Sequence, residues 1–208
     1  MKIGYRVQHA AGRESALDPL LPLLPPAVEV ITDEEAESDP NPLRCFLRCL
    51  ANPGPGVTHL CVLQDDVTVC TDFERRVEDA VAGRPADILS LFVGGLHGRT
   101  QREFLSALKA GNPWTQVYFR EIHHVVATVW PVTQAQAFLD WWETKPKVPG
   151  PRVQRSDDAV VGYWARRKQI RFWATVPCLV EHRNELPSTI RQASRFGDKG
   201  RRAISFLG

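Results

Sequence analysis

The 208-residue sequence contains no G-x-x-x-x-G-K-[ST] element and no C-x-x-C pair. The first absence removes the loop with which P-loop enzymes cradle phosphates, and it counts against a phosphoryl or nucleotidyl transferase. The second, with an odd total of 5 cysteines (Cys45, Cys49, Cys61, Cys70 and Cys178), counts against a structural zinc site. No apolar run is long enough for a membrane span: LLPLLPP is short and broken by proline, and MKIGYRVQHAAGRES carries no apolar signal core. The expected location is therefore the cytoplasm, with no membrane anchor. Internal repeats and low-complexity segments are also absent.

What is present suits a single globular domain. Hydrophobic residues make up 43% and charged residues 24% of the chain, close enough to the globular average to argue against extensive disorder. The net charge of +2 hides an asymmetry: residues 1–151 carry 14 Lys+Arg against 19 Asp+Glu, a net −5, while residues 152–208 carry 12 against 5, a net +7. A basic C-terminal quarter suits a phosphate-bearing partner, a nucleotide or a nucleic acid, although a solvated basic face has the same composition. Cys45 and Cys49, four apart on an expected helix, and Cys61, in an expected strand, read as reduced core thiols.

Apolar strands alternate with helices along the chain. KIGYRV is a first strand, SALDPLLPLL a helical connection interrupted by Pro19, and VEVIT a second strand with Asp33 just past its end. NPLRCFLRCLA is an amphipathic helix with Asn41 as N-cap and Pro42 in its first position. THLCVL (strand), DFERRVEDAVAG (helix) and ADILSLFV (strand) follow, a pattern that predicts a mainly parallel α/β sheet flanked by helices. Further on, VYFREIHHVVATVWPV reads as two strands joined by a turn, TQAQAFLDWWE and DDAVVGYWARRK as helices, and IRFWATVPCLVEH as a strand pair.

Ligands of such sheets bind beyond the carboxyl ends of the strands, and Asp33, Asp65 and Asp66 all fall there. Alternation along an extended segment puts Gln64 and Asp66 on one side and Asp65 on the other, which makes Asp66 a candidate ligand for Mn²⁺ or Mg²⁺. Solvated or helix-capping aspartates produce the same pattern. In RSDDAVVGYWARR, Ser156 or Asp157 caps a helix and Asp158 falls in its first turn. Either Asp157 or Asp158 is a candidate general base for an acceptor hydroxyl, although a carboxylate there is also an ordinary helix-start device. TVPCLVEHRNELPST ends a strand at Glu181-His182, so His182 is a candidate nitrogen ligand to the same cation. Ser188 and Thr189, with Arg183 and Arg191 nearby, are candidates for phosphate oxygens.

Taken in order, KIGYRV, LQDDVTVCTDF, SDDAVVGYW, VPCLVEH and Ser188 resemble the nucleotide-sugar glycosyltransferases of the GT-A (Rossmann-like) fold. LQDDVTVCTDF is similar to the L-E-D-D-V segment of lipopolysaccharide-type galactosyltransferases, a variant of the D-x-D metal motif, and the chain resembles compact glycosyltransferases carried by bacteriophages. The resemblance implies a catalytic domain over residues 1–185 and a basic tail over 186–208 packing on the donor site. It implies that Asp66 and His182 hold the metal, and that Asp65, Gln64 and Asp33 contact the donor. Ser188, Arg191 and Arg195 would also lie on the donor, with Lys199, Arg201 and Arg202 closing over the diphosphate, and Asp157 or Asp158 would be the base. Gln64 departs from the acidic residue often found at its position.

The implied reaction moves a hexose from a nucleotide-sugar, UDP-glucose or similar, to an acceptor hydroxyl, in the host cytoplasm if a phage carries the gene. The +7 quarter favours DNA bearing a hydroxymethylated pyrimidine, with Trp114, Tyr118, Phe119, Trp141 and Trp142 as candidates for a stacking surface. A glycan or virion-protein hydroxyl is the alternative acceptor, and a non-catalytic nucleic-acid-binding module the alternative class. Neither the oligomeric state nor the stereochemical outcome follows from the sequence.

Overall fold

The computed structural model describes residues 1–94, 98–118, 125–144, 146–148, 150, 153–183 and 202–208. In chain order the strands and helices are β1 (Ile3–Ala10), β2 (Glu29–Asp33), α1 (Pro42–Leu50), β3 (His59–Gln64), β4 (Val67–Val69), α2 (Phe73–Gly83), β5 (Ile88–Ser90), α3 (Arg99–Lys109), β6 (Trp114–Val117), β7 (Ala127–Pro131), α4 (Val132–Glu143), α5 (Asp157–Lys168), β8 (Phe172–Thr175) and β9 (Val180–His182).

Seven strands form one sheet in the order β2-β1-β3-β7-β5-β8-β6, and β4 pairs with β9 in a separate two-stranded sheet. β2, β1, β3, β5 and β8 run one way, while β7 and β6 run against them. The expected mixed, mainly parallel sheet is therefore present. β3 is buried on both faces, which is why its sequence is a continuous apolar run. Leu60 and Val62 join a layer with Leu43 and Phe46 of α1, Phe138 of α4 and Trp164 of α5, whereas Cys61 and Leu63 join Phe73 and Val77 of α2. Trp130 of β7 centres the first layer, with the rings of Phe46, Phe138, Trp164 and Phe172 between 5.6 and 5.8 Å from it. Truncating a buried aromatic of this kind to alanine costs about 3–5 kcal/mol.

Local signals hold where the chain neighbours decide. Asn41 caps α1 by accepting the Arg44 N–H at 3.3 Å, and Ser156 caps α5 by accepting the Ala159 N–H at 3.3 Å. All five cysteines are free and buried.

Four expectations are corrected. The SALDPLLPLL connection, expected as a helix broken at Pro19, is reduced to two short 3-10 turns, Glu14–Ala16 and Leu21–Leu23, because Pro22 breaks it a second time. Of ADILSLFV only Ile88–Ser90 enters the ladder. Of VYFREIHHVVATVWPV, residues 119–124 lie outside the described residues; its second strand, β7, inserts between β3 and β5, while β6, which ends at Val117, lies on the sheet edge beside β8. β8 and β9 do not pair with each other, because β9 leaves the main sheet to join β4. No helix among the described residues is long and apolar enough to cross a membrane.

Candidate active site

β1 and β3 lie side by side in parallel, with Gln8 in register with Gln64. β3 stops there, and Asp65-Asp66 forms the link to β4, while β1 runs on through His9 and Ala10 before turning at Gly12. Gly12 sits at φ +81°, and a Cβ there would run into the Glu37 carboxylate, so the turn requires glycine. Arg13 follows the turn and lies over the acidic pair.

Arg13 Nη1 is 3.0 Å from Asp65 Oδ1, and Nη2 is 3.4 Å from Asp66 Oδ2. Asp65 Oδ2 also accepts the Ala10 N–H at 3.2 Å and lies 2.9 Å from His9 Nδ1. Burial pushes the Asp65 carboxyl above the usual range against the pull of Arg13, and the charge of Asp66 adds to the rise. The expected alternation therefore fails. Asp65 and Asp66 reach the same guanidinium and Gln64 goes elsewhere, because the period of two ends with the ladder.

Pairing of β4 with β9 sets Val67 opposite His182 and brings His182 Nε2 to 3.4 Å from Asp66 Oδ2. Both residues are buried, so Asp66 is enclosed. Among the described residues no group of three or more His, Cys, Asp or Glu side chains gathers as a metal cage. One carboxylate and one imidazole this close nonetheless fit a divalent cation that draws its remaining ligands from phosphates and water, the imidazole favouring Mn²⁺ over Mg²⁺.

On the other side of Gln64 is the start of α5. Asp157 Oδ2 accepts the side-chain amides of Gln8 and Gln64, each at 3.3 Å, and its Oδ1 accepts the Asp158 N–H at 2.9 Å. Gln8 also donates to the Pro42 carbonyl at 2.9 Å. Asp157 is thus buried and held from two strands, whereas Asp158 is only half-buried, with Oδ1 accepting the Val125 N–H. Burial raises both carboxyls, and the charge of Asp157 pushes Asp158 well above the ordinary range.

Asp33, the last residue of β2, is buried with both oxygens on the Arg44 guanidinium, at 2.9 and 3.0 Å. Arg44 also reaches Glu35 and Asp39, and Arg155 reaches Asp39. Ser188, Thr189, Arg191, Arg195, Lys199, Arg201 and Phe119 lie outside the described residues. Residues 202–208 are described: Ala203 donates its N–H to Glu181 Oε1 at 2.9 Å, and Ser205 and Leu207 bond the backbone of Cys178. The chain's last segment thus runs beside β9, next to His182.

The aromatic residues proposed for stacking divide between two elements. Trp141 and Trp142 of α4 pack on the core, with Trp141 near Phe138 and Tyr163. On the β6 side, Trp114 lies under Arg84 and Tyr118 under Arg99. The basic charge also divides. Exposed Arg166, Arg167, Lys168 and Arg171 precede β8, whose first residue pairs with the first residue of β5, so they sit at the amino edge, opposite the acidic pair.

Sequence reasoning missed Arg13, His9 and Gln8. The signal was the polar pair Gln8-His9 closing an apolar strand, followed by A-A-G-R, but the expected strand stopped at Val7.

The sheet order, the helices on both faces and the acidic link at the carboxyl edge define a single-domain, GT-A-like α/β fold. A crystal structure of S. aureus TarS residues 1–349 in complex with UDP matches it with a TM-score of 0.53, at 12% identity over 85% of this chain. A second structure of TarS 1–349 matches with a TM-score of 0.50 at 12% identity over 85% of the chain. This chain spans 58% of the length of either TarS structure. No protein-family model and no curated protein matches the sequence.

Proposed function

We propose that the chain is a glycosyltransferase that moves a sugar from a nucleotide-sugar, UDP-glucose or a similar UDP-sugar, to an acceptor hydroxyl. One observation carries this reading: the Asp66–His182 pair and the partly buried Asp158 flank the same Gln8–Gln64 register position at the carboxyl edge of a GT-A-like sheet. The fold likeness to a UDP complex supports the choice of donor.

Asp66 and His182 would hold Mn²⁺ or Mg²⁺, which when bound supplies charge neutralisation for the departing diphosphate. Asp65, locked by His9, the Ala10 N–H and Arg13, fixes the backbone link that carries Asp66. Asp158 takes the acceptor proton: unlike Asp157 it is not fully buried, and a raised pKa makes it a stronger base once ionised. Asp157 is the positioning group, since both its oxygens are engaged and it is closed off from solvent. The buried Asp33–Arg44 pair shapes the edge on the nucleoside side, and Ser188, Arg191 and Arg195 complete the donor site in this reading.

For the acceptor we favour a hydroxymethylated pyrimidine in DNA, on the basic residues of 152–208 other than Arg166, Arg167, Lys168 and Arg171, which lie at the opposite edge; Arg183 beside His182 is one that remains near the acidic pair. The test is UDP release from UDP-glucose with Mn²⁺, comparing duplexes with and without hydroxymethylcytosine. Release that depends on the hydroxymethyl group supports both donor and acceptor. Equal slow release from both keeps the transferase and moves the acceptor to a glycan or protein hydroxyl. Absence of UDP binding with Mn²⁺ overturns the enzyme reading and favours a nucleic-acid-binding module.

A further inference from the structure

Arg13 occupies a position with a consequence for loading order. Its guanidinium spans Asp65 Oδ1 and Asp66 Oδ2, and that same Asp66 oxygen lies 3.4 Å from His182 Nε2. The contact with Asp65 is the shorter, at 3.0 Å against 3.4 Å for Asp66, so Arg13 is anchored on Asp65 and only leans on Asp66. Its side chain keeps 15% of its surface exposed, enough to meet a ligand at the edge without leaving Asp65.

We propose that Arg13 makes cation and nucleotide diphosphate bind together: it opposes a divalent cation alone on Asp66 and contacts the diphosphate when both arrive. This rests on the glycosyltransferase reading above. The formal charges carry the argument. Asp65, Asp66 and Arg13 sum to −1, and a divalent cation alone turns the cluster to +1 with two cations facing one oxygen. A diphosphate diester carries −2 and restores −1 while giving the planar guanidinium fork two phosphate oxygens to bridge. The loop holds Arg13 in place for this. Gly12 supplies the turn, Ala16 donates its N–H to the Arg13 carbonyl at 2.8 Å, and Arg183, next to His182, donates to the Ala16 carbonyl at 3.0 Å. The loop bearing Arg13 is thereby tied to the strand bearing His182.

The test measures Mn²⁺ binding by electron paramagnetic resonance, with and without UDP, in the full chain and in Arg13→Gln. In the unaltered chain UDP is expected to strengthen Mn²⁺ binding by about 10- to 100-fold, the ordinary range of site coupling. In Arg13→Gln, Mn²⁺ alone is expected to bind about tenfold tighter and UDP with Mn²⁺ about tenfold weaker. Arg13→Lys, which keeps the charge, retains most of the coupling. Arg13→Met replaces the Gln variant if the latter does not fold. Equal coupling in the neutral variant and the unaltered chain overturns the role of Arg13 and leaves the transferase reading intact. Failure of the unaltered chain to bind UDP at any Mn²⁺ concentration overturns both.

Discussion

The two ends of β1 bury charge in opposite ways. In its first half Arg6, 5% exposed, donates to the carbonyls of Cys49, Ala51 and Asn52 and to Glu29. A cation there meets the negative end of α1, so every neighbour favours its charge. His59, at the same end of the sheet, is likewise satisfied by Thr58 and by the Pro85 carbonyl. Beyond Gln8 the logic reverses. Asp65 sits beside Asp66 and Asp157 beside Asp158, in surroundings that raise Asp65, Asp157 and Asp158 above the usual carboxylate range. Like charges gathered under desolvation cost stability, and such clusters mark sites kept for chemistry. One end serves the fold; the other, in the proposed reading, serves the reaction.

Substitutions at the two ends should therefore separate activity from stability. The largest expected effect is from Asp66→Asn, with turnover down by about 10³-fold or more and the melting temperature little changed. Near-normal turnover would remove Asp66 from the metal site. Asp158→Asn should lower kcat by about 10²- to 10³-fold, with stability unchanged or raised, because a buried like-charge contact disappears. Equal loss of activity and stability would assign Asp158 to the fold.

The pH profile sharpens the assignment. A base with a raised pKa ionises only above the ordinary carboxylate range, so kcat should climb with pH along an acid limb lying there. That limb should vanish in Asp158→Asn. Folding stability runs the other way: the native state holds these protons more tightly, so the contribution of Asp157 and Asp158 is greatest at acid pH and falls as pH rises through their raised values.

At the opposite end, Arg6→Ala should cost about 3 kcal/mol of stability by stranding carbonyls of α1, with kcat per folded molecule intact. A lowered kcat would break the division between the two ends. The smallest effect is from Gly12→Ala, about 1–2 kcal/mol for the left-handed turn, with donor affinity falling alongside as Arg13 shifts. Urea titration paired with UDP binding reads both.

Much of this edge was legible in the sequence. The β-branched and apolar runs placed the strands, and their ends placed Asp33, Asp65 and Asp66 at the carboxyl edge of the main sheet, with His182 closing β9 beside Asp66. Asn41, Pro42 and Ser156 set helix starts through contacts within a few residues. The difference between Asp157, closed off, and Asp158, partly exposed, was not legible, because it depends on Gln8 and Gln64, far away in the chain. The reach of the basic quarter was also hidden, since α5 and the turn that follows it carry four of its cations to the other edge.

Alternation of apolar runs and the acid at their ends established an α/β sheet with a polar carboxyl edge, since periodicity and capping are settled by near neighbours. The insertion of β7 between β3 and β5, the pairing of β9 with β4, and the placing of Arg13 over Asp65 and Asp66 came only with the tertiary structure. Those contacts join residues distant in the chain, and their free energy comes from desolvation and charge pairing that exist only once the sheet has assembled.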